Sequence, residues 1–322
     1  MSEMPTGGVL QPGSSCSQAA RVIPEPMPGT APRAQSWLVI EQHGAYGRKA
    51  LLDSALPRTV GEHLSATKQD SGTSVILARP TGAHARNDEA SRRVWLAHTA
   101  IGATEMHQAR ITDTDVLTEL DVRAFAAGTM PNLGFPSSTP TLFVCTNGRR
   151  DACCALLGRK ALEGIDDVDV WECSHLGGHR FAATAVLLPW GYVYGHVTAE
   201  AVRQIMAEAR AGRVYVPGLR GRSALSRTAQ AAEILVRRAF DIVGPGDLSV
   251  LERDSFGHVF AIPSSASAGP SRMQVRHQDG RAWDVTAVHA HLRPATPESC
   301  GGEPVARTTV RITTLDEAPA WR

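Results

Sequence analysis

The chain has 322 residues and a mass of 34.4 kDa, with 43% hydrophobic and 20% charged residues, a length that predicts about two domains. The 33 Lys and Arg residues nearly balance the 32 Asp and Glu residues, so the net charge of +1 argues against nucleic acid or an anionic membrane as a partner. No apolar run approaches the ~20 residues of a membrane span. The first residues also lack the apolar core of a signal peptide, and we therefore expect a cytoplasmic protein.

The first third of the chain predicts a leader followed by a small α/β domain. Residues 1–34 contain six prolines and four glycines with little apolar periodicity, which predicts a disordered leader. Short apolar runs at 36–40, 74–77 and 93–97 predict strands, and the apolar spacing over 113–126 predicts a helix. We assign residues 35–130 to an N-terminal α/β domain.

The pattern is clearer after a stretch rich in Pro, Gly and Ser at 129–140, which predicts a linker. Strands are predicted at 141–145 and 168–171, and between them Asp151 is the predicted N-cap of a helix over 152–162. Residues 181–188 and 192–197 predict a hairpin, and Thr198 is the predicted N-cap of a helix over 199–211. This β-α-β, β-β-α order is that of a thioredoxin-like domain, which we place at 135–242.

The remaining residues predict one more helix, at 222–240, and a β-rich C-terminal region over 243–322, where several short segments alternate between apolar and polar residues. No internal repeat is recognisable in the sequence.

The six cysteines are too few for a disulfide scaffold at this chain length, and four of them lie within the 29 residues from Cys145 to Cys173. Such clustering indicates a metal or redox site. Cys16 and Cys300 are distant from it in sequence, and we expect each to be an isolated thiol, either buried as a small apolar residue or exposed.

Two histidines extend this cluster. His175 and His179 follow the second predicted strand of the domain, and Cys145 ends the first, so the carboxyl ends of neighbouring strands would bring them together. The glycine pair at 177–178 predicts a tight loop whose backbone can approach a cofactor closely. Two thiolates and two imidazoles can complete a tetrahedral zinc site or an iron–sulfur site. The eight residues between Cys145 and Cys154 suit a larger cluster than a zinc knuckle, but this spacing does not exclude zinc.

The segments CTNGRRDACCALLGR and WECSHLGGHRFAATAVLLPWGYVYG resemble the sucrase/ferredoxin-like family. The resemblance extends to GTAPRAQSWLVIEQHGAYGR upstream and to GLRGRS, QAAE and PESCGGEPV downstream. It implies a thioredoxin-like ferredoxin domain that binds a [2Fe-2S] cluster through two cysteines and two histidines. The expected fold class is therefore α/β, with this domain preceded by an α/β domain and followed by a β-rich portion.

Matching the family's motif residue by residue implies four ligands, which are Cys145, Cys154, His175 and His179. The chain has adjacent cysteines where the fungal pattern has one cysteine followed by glycine; alignment through Asp151 favours Cys154, and Cys153 remains the alternative ligand. Cys153, Cys173, Asp151 and Arg180 are the expected neighbours of the ligands. The sequence has no paired-carboxylate motif of the kind used in glycoside hydrolysis. No glycine fingerprint for a nucleotide cofactor follows a predicted strand.

These observations predict a one-electron carrier rather than an enzyme with a substrate of its own. Two alternatives are a thiol–disulfide oxidoreductase on the same fold, although its cysteines would be adjacent rather than Cys-x-x-Cys, and a structural zinc protein with the same four ligands. An acidic redox partner is expected to dock on basic residues near the cluster, namely Arg149, Arg150, Arg159 and Lys160. Eight arginines between 201 and 240 predict either a solvated face or a second docking surface.

Overall fold

The computed structural model describes residues 16–23, 25–69, 71–82, 91–253, 259–260 and 269–320. Ten strands form one mixed sheet: β1 Ser36–Glu41, β2 Thr73–Pro80, β3 Arg92–His98, β4 Glu105–Ile111, β5 Phe135–Pro136, β6 Thr141–Cys145, β7 Val170–Cys173, β8 Ala185–Leu188, β9 Tyr192–Tyr194 and β10 Leu219–Arg222. A second, antiparallel sheet contains β11 Leu248–Arg253, β12 Val259–Phe260, β13 Ser271–His277, β14 Ala282–Pro297 and β15 Pro304–Ala318. The helices are α1 Cys16–Val22, α2 Ala50–Asp53, α3 Arg58–Thr67, α4 Val122–Ala126, α5 Ala152–Ala161, α6 Ala199–Arg210 and α7 Arg227–Phe240.

Local patterns predicted the elements around the cysteine cluster well. β6 has the predicted bounds, and the Asp151 side chain accepts a hydrogen bond from the Cys153 backbone N–H at the start of α5, as an N-cap does. Thr198 caps α6 in the same way, and β8 and β9 form the predicted hairpin.

Other predictions differ from the structure. Helix α7 begins at Arg227 rather than 222, because residues 219–222 pair with β9 as strand β10. The helix expected over 113–126 is divided into a 3₁₀ turn at Asp115–Thr118 and the short α4. Helix α3 and strand β4 had no counterpart among the predicted elements.

The ten-stranded sheet consists of two halves with the same topology. In one half the strand order is β2-β1-β3-β4, and in the other it is β7-β6-β8-β9. Each half begins with a parallel pair, β1 with β2 and β6 with β7, and continues with two antiparallel strands. The halves join where β2 and β7 pair antiparallel, with Ala78 opposite Cys173. The stretches predicted as domains 35–130 and 135–242 are thus the two halves of one sheet, and the repeat is visible in the topology although it is not recognisable in the sequence.

Strands at the centre of the sheet are buried on both faces. Along β1, Trp37 and Val39 belong to one apolar cluster, while Leu38 and Ile40 belong to another on the opposite face. The first of these clusters spans both halves of the sheet, and the Trp95 ring packs edge-on against the rings of Phe143 and Trp171. Burial on both faces explains why these strands are continuous apolar runs rather than alternating ones.

The N-terminal segment differs from the disordered leader expected for residues 1–34. Residues 1–15 lie outside the described part, but residues 16–22 form helix α1, whose Cys16 side chain is fully buried. Farther along, Ala31 and Ala34 are buried in the cluster that spans the sheet, and the Gly29 backbone N–H donates to the Arg220 carbonyl. Tertiary contacts therefore order a segment whose composition resembles that of a disordered chain.

The C-terminal sheet packs against α7, and Val236, Val275, Trp283 and Val285 share one apolar cluster. Its strands β14 and β15 form a long hairpin with 13 residue pairs. The 16 residues of β14 extend about 50 Å at ~3.3 Å per residue. Because the hairpin is this long, the loop at its tip reaches the start of α5, where the Cys300 backbone N–H donates to the Asp151 side chain.

The arginines between 201 and 240 do not form one charged face. Arg220, Arg222 and Arg237 are at most 2% exposed and hydrogen-bond to carbonyl oxygens or buried polar side chains. Of the others, Arg210 binds Asp167, and Arg213 binds Glu208. The buried arginines therefore belong neither to a solvated face nor to a second docking surface, the two interpretations that the sequence left open. No helix in the described segments is long and apolar enough to cross a membrane.

Candidate metal centre

The parallel strands β6 and β7 end side by side and carry the first residues of the site. Cys145 is the last residue of β6 and lies opposite Cys173 at the end of β7. Ser174, the next residue after β7, makes two hydrogen bonds with Leu77 of β2. The Ser174 N–H donates to the Leu77 carbonyl at 2.8 Å, and the Leu77 N–H donates to the Ser174 Oγ at 3.0 Å. The N-terminal half of the sheet thereby holds the segment that leads into His175.

Helix α5 brings the second cysteine to the end of β6. Gly158 lies one turn after Cys154 on the same helix face, and a Cβ at this glycine would overlap the Cys145 carbonyl oxygen. The absence of a side chain at position 158 allows the helix to cross the strand end at close range. Cys154 is consequently placed against Cys145, and both side chains are fully buried.

The ligand atoms of Cys145, Cys154 and His175 all lie within 4.8 Å of one another. The hydrogen bond from the Cys154 thiol lowers the pKa of Cys145, and the His175 ring acts in the same direction against the effect of burial. The hydrogen bond to Cys145 and burial raise the pKa of Cys154, so Cys145 is the more readily ionised of the two thiols. Two buried thiols beside an imidazole are side chains that could hold a metal ion.

His179 lies beside this group, in a 3₁₀ turn at His179–Phe181. Its ring centroid is 5.1 Å from that of His175, and its Nε2 lies 3.9 Å from the Asp151 Oδ2. Burial lowers the pKa of His179, which favours the neutral imidazole that binds metals. The Nδ1 atoms of His175 and His179 are both buried, and neither has a hydrogen-bond partner among the described residues. Each ring thus has a buried nitrogen that no described residue satisfies, and these nitrogens suit the group that the resemblance implies. Cys145, Cys154 and His175 lie within one 4.8 Å group, and His179 lies beside it.

The two glycines between these histidines have different roles. Both have positive φ angles, +81° at Gly177 and +70° at Gly178. A Cβ at Gly178 would overlap the Arg220 guanidinium, whose Nη1 donates to the Gly177 carbonyl at 3.0 Å, whereas a Cβ at Gly177 would meet nothing within 4 Å. We expected the pair to permit approach to a cofactor; at Gly178 the close neighbour is a buried arginine instead.

We expect Gly177→Ala to lower the free energy of unfolding by about 1–2 kcal/mol, the cost of a left-handed backbone at a residue with a Cβ. Gly178→Ala should cost more, because it also displaces the Arg220 side chain. Urea unfolding of the two variants measures the difference, and Gly177→Ala is the matched control. Equal losses of stability would show that Arg220 does not hold this loop.

Arg180 does not contact the cysteines or histidines in hydrogen-bonding geometry. Its guanidinium binds the buried Glu25 carboxylate with two hydrogen bonds of 2.7 Å, and Arg307 lies 3.2 Å from the same carboxylate. Arg180 therefore anchors the N-terminal segment beside His179. Cys173 is fully buried in the apolar core and belongs to neither group of metal-ligating side chains found in the described segments.

A second group of thiols lies on the other side of α5. Cys16, Cys153, Cys300 and Asp151 have ligand atoms within 4.8 Å of one another. The hydrogen bond from the Cys16 thiol lowers the pKa of Cys153 to about 4, and burial together with the bond to Cys153 raises the pKa of Cys300 to about 11. The adjacent cysteines are thus divided, with Cys154 beside Cys145 and Cys153 beside Cys16.

The expectation that Cys16 and Cys300 are isolated thiols is wrong. They are 137 and 147 residues from Cys153 in sequence, so no local spacing pattern connects them. The only sequence signal was that PESCGGEPV, which contains Cys300, belongs to the segments that resemble the family.

A cavity of about 240 Å³ adjoins the site and is lined by residues from both halves of the sheet. Four cationic side chains face it, together with Asn147 and His175; these cations are Arg48, Lys49, Lys68 and Arg150. Two of the chain's three lysines are therefore concentrated here, beside one of the predicted ligands.

A comparison with curated proteins finds no match, and a comparison with solved structures also finds none. A scan against family models matches residues 27–221, which include the two sheet halves, the cysteine pair of β6 and α5, and both histidines. This match covers more than half of the chain, and the described geometry brings Cys145, Cys154 and His175 of the matched region to one place. The chain belongs to the sucrase/ferredoxin-like family.

Proposed function

We propose that this protein is a one-electron carrier whose [2Fe-2S] cluster is bound by Cys145, Cys154, His175 and His179. The observation that carries the proposal is the pair of buried thiols beside two histidines whose buried Nδ1 atoms have no partner in the described part of the chain. Such a cluster, when bound, takes up and passes on a single electron. The chain's own residues hold it against the ends of β6 and β7, where the sheet and α5 exclude water from the thiolates.

The topology of the second half of the sheet supports a thioredoxin-like ferredoxin domain. A parallel βαβ unit, β6-α5-β7, is followed by the β8–β9 hairpin and α6, and the strand order is β9-β8-β6-β7. Cys145 ends β6, Cys154 lies in the first turn of α5, and both histidines follow β7, so all four lie near the carboxyl ends of the parallel pair. This is the edge of an open α/β sheet where sites are usually formed.

The division of the cysteine pair argues against the thiol–disulfide alternative. Cys153 and Cys154 point to different groups, so they do not form the dithiol that such an enzyme would use. A structural zinc ion on the four proposed ligands is the other alternative, and metal analysis separates it from the cluster.

Anaerobic purification followed by absorption spectroscopy and metal analysis tests the proposal. We expect a brown protein with about two irons and two acid-labile sulfides per chain. Cys145→Ser should lose the iron, whereas Cys173→Ala, which removes a buried thiol outside both groups, should retain it. A colourless protein with zinc at these ligands, or equal iron in both variants, would contradict the proposal.

We further propose that an acidic redox protein docks over the cluster. The four basic residues expected there, Arg149, Arg150, Arg159 and Lys160, are all exposed. Leu156, on the same helix as Arg159, is 72% exposed and adds an apolar contact among these charges. The cationic cavity beside His175 would receive an acidic side chain of the partner.

Reversing one of these charges is expected to slow the encounter. With a reduced acidic flavodoxin as the probe donor, Arg150→Glu should lower the second-order rate of electron transfer about tenfold at low salt, because opposite charges steer association. Arg238→Glu reverses an exposed charge on α7 and is the matched control. The difference should vanish at high ionic strength, and stopped-flow kinetics that show equal rates for both variants at low salt would place the docking surface elsewhere.

A further inference from the structure

We propose that Cys16, Asp151, Cys153 and Cys300 form a zinc site, separate from the iron–sulfur centre and with no ligand in common with it. The four side chains come from three distant parts of the chain, which are helix α1, the start of α5 and the tip of the β14–β15 hairpin. Cys16 is fully buried, Cys153 is 3% exposed, and the Asp151 side chain is inaccessible.

The distances from the Cys16 Sγ to the other ligand atoms fit a tetrahedron around one ion. With Zn–S bonds of about 2.3 Å, two sulfurs of a tetrahedral site are roughly 3.8 Å apart. The Cys16 Sγ lies 3.7 Å from the Sγ atoms of both Cys153 and Cys300, and 3.7 Å from the Asp151 Oδ1. The remaining two edges measured are shorter, 3.0 Å between Cys153 and Cys300 and 3.2 Å between the Cys300 Sγ and the Asp151 Oδ1.

The charges at this place require a cation. A buried carboxylate and three thiols lie together, and the only cationic partner of Asp151 within 4 Å in the described residues is the His179 ring, at 3.9 Å. Buried negative groups are costly unless they are paired or bound to a metal. A divalent ion would supply that charge, and three sulfurs with one carboxylate suit zinc rather than calcium or magnesium, which prefer oxygen ligands.

Neighbouring donors already orient the proposed ligands. The Ser17 Oγ donates to the Cys153 Sγ at 3.2 Å. Backbone N–H groups donate to the two Asp151 oxygens, from Cys153 to Oδ1 and from Cys300 to Oδ2, each at 2.9 Å. Hydrogen bonds of this kind set the direction of metal ligands and increase their affinity.

A zinc ion here would fasten α1 and the hairpin tip to the first turn of α5. This turn also contains Cys154, so the ion would stabilise the position of the iron ligand without touching it. A disulfide between Cys153 and Cys300 would join only two of the three segments and would leave Cys16 and Asp151 buried without a metal or a bonded sulfur.

The test is metal analysis of the full-length protein, produced with zinc in the medium and purified without metal-affinity resin. We expect one zinc per chain, and at least about a tenfold lower zinc content in Cys300→Ser and in Cys16→Ser, with the iron retained. Ser299→Ala, next to Cys300 but with no ligand atom in the site, is the matched control and should keep the zinc. Cys145→Ser should show the reverse pattern, losing iron and keeping zinc, so the two sites are tested independently.

Cobalt provides a second measurement that does not depend on how the protein was produced. Metal-free, reduced Cys145→Ser protein, which lacks one proposed iron ligand, should develop the intense visible bands of tetrahedral cobalt thiolate when titrated with Co²⁺ alone. The same protein with Cys300→Ser added should not. Cys300 lies in a half-buried loop, so this variant is expected to fold even if Cys16→Ser does not. Zinc that is absent and not taken up, zinc that survives Cys300→Ser, or a Cys153–Cys300 disulfide found by mass spectrometry would each overturn the proposal.

Discussion

The double variant His175→Cys/His179→Cys is expected to keep an iron–sulfur cluster but to lower its reduction potential by about 250 mV or more. Neutral imidazoles leave the centre less negative than thiolates do, so replacing both with thiolates makes reduction less favourable. The expected size follows from the difference between centres with two histidines, at roughly −150 mV and above, and all-cysteine centres near −400 mV. Protein-film voltammetry or a redox titration followed by absorption measures the shift.

His291→Cys is the matched control, because it introduces a thiol at an exposed position of the C-terminal sheet. Its potential should equal that of the unaltered protein. An unchanged potential in the double variant would mean that the histidines are not ligands.

The pH dependence of the potential gives an independent readout of the same ligands. An imidazole bound to oxidised iron holds its second proton less tightly than one bound to reduced iron, so reduction favours proton uptake. The potential of the unaltered protein should therefore fall by up to about 59 mV per pH unit above the pKa of the oxidised form. In the double variant, the potential should be flat over the same pH range.

Arg237→Ala is expected to lower the free energy of unfolding by about 3–5 kcal/mol. Arg237 and Glu233 are both inaccessible to solvent; the Arg237 Nη2 lies 3.0 Å from the Glu233 Oε1 and donates to the Tyr192 hydroxyl at 2.8 Å. The Arg237 Nη1 also donates to the carbonyls of Ile242 and Gly244, where the chain leaves α7 for the second sheet. Removing the guanidinium leaves a buried carboxylate without a counter-ion, and urea unfolding reports the loss.

Two variants separate the buried charge from simple loss of packing. Arg237→Met combined with Glu233→Leu removes both charges and should recover a large part of the stability, because a buried pair is often replaced by apolar residues at little cost. Arg213→Ala breaks an exposed pair with Glu208 and should leave the midpoint of unfolding unchanged. If Arg237→Ala unfolds at the same urea concentration as Arg213→Ala, the buried pair does not stabilise the link between the sheets.

Local physical rules predicted the scaffold of the candidate iron site. The strand at 141–145 is a short apolar run that ends at a polar loop, Asp151 is an N-cap residue three positions before Cys154, and the glycine pair interrupts any helix between the histidines. Each of these signals depends on residues within a few positions of one another. The sequence motif therefore led to Cys145, Cys154, His175 and His179 as candidates before any tertiary contact was known.

The disagreements share one cause, which is contact between residues distant in sequence. The described part of the predicted leader, from residue 16 onward, is ordered because Cys16 and Ala31 are buried by elements more than a hundred residues away. The buried arginines are satisfied by carbonyls from other segments, such as the Gly177 carbonyl at Arg220, and composition alone suggests exposed charges. The joining of two predicted domains into one sheet depends on the β2–β7 pairing, which leaves no local pattern.

The sequence alone thus determined the β-α-β-β-β-α order of the second half, because local spacing and capping carry that information. Its resemblance to the family implied the candidate iron ligands and left Cys153 as an alternative to Cys154. Only the tertiary structure separated Cys153 from Cys154 and showed that Cys16 and Cys300 join Cys153 rather than remaining alone. The reason is that neighbouring residues at the start of a helix project in directions about 100° apart, so the packing around the helix decides which thiol meets which partner.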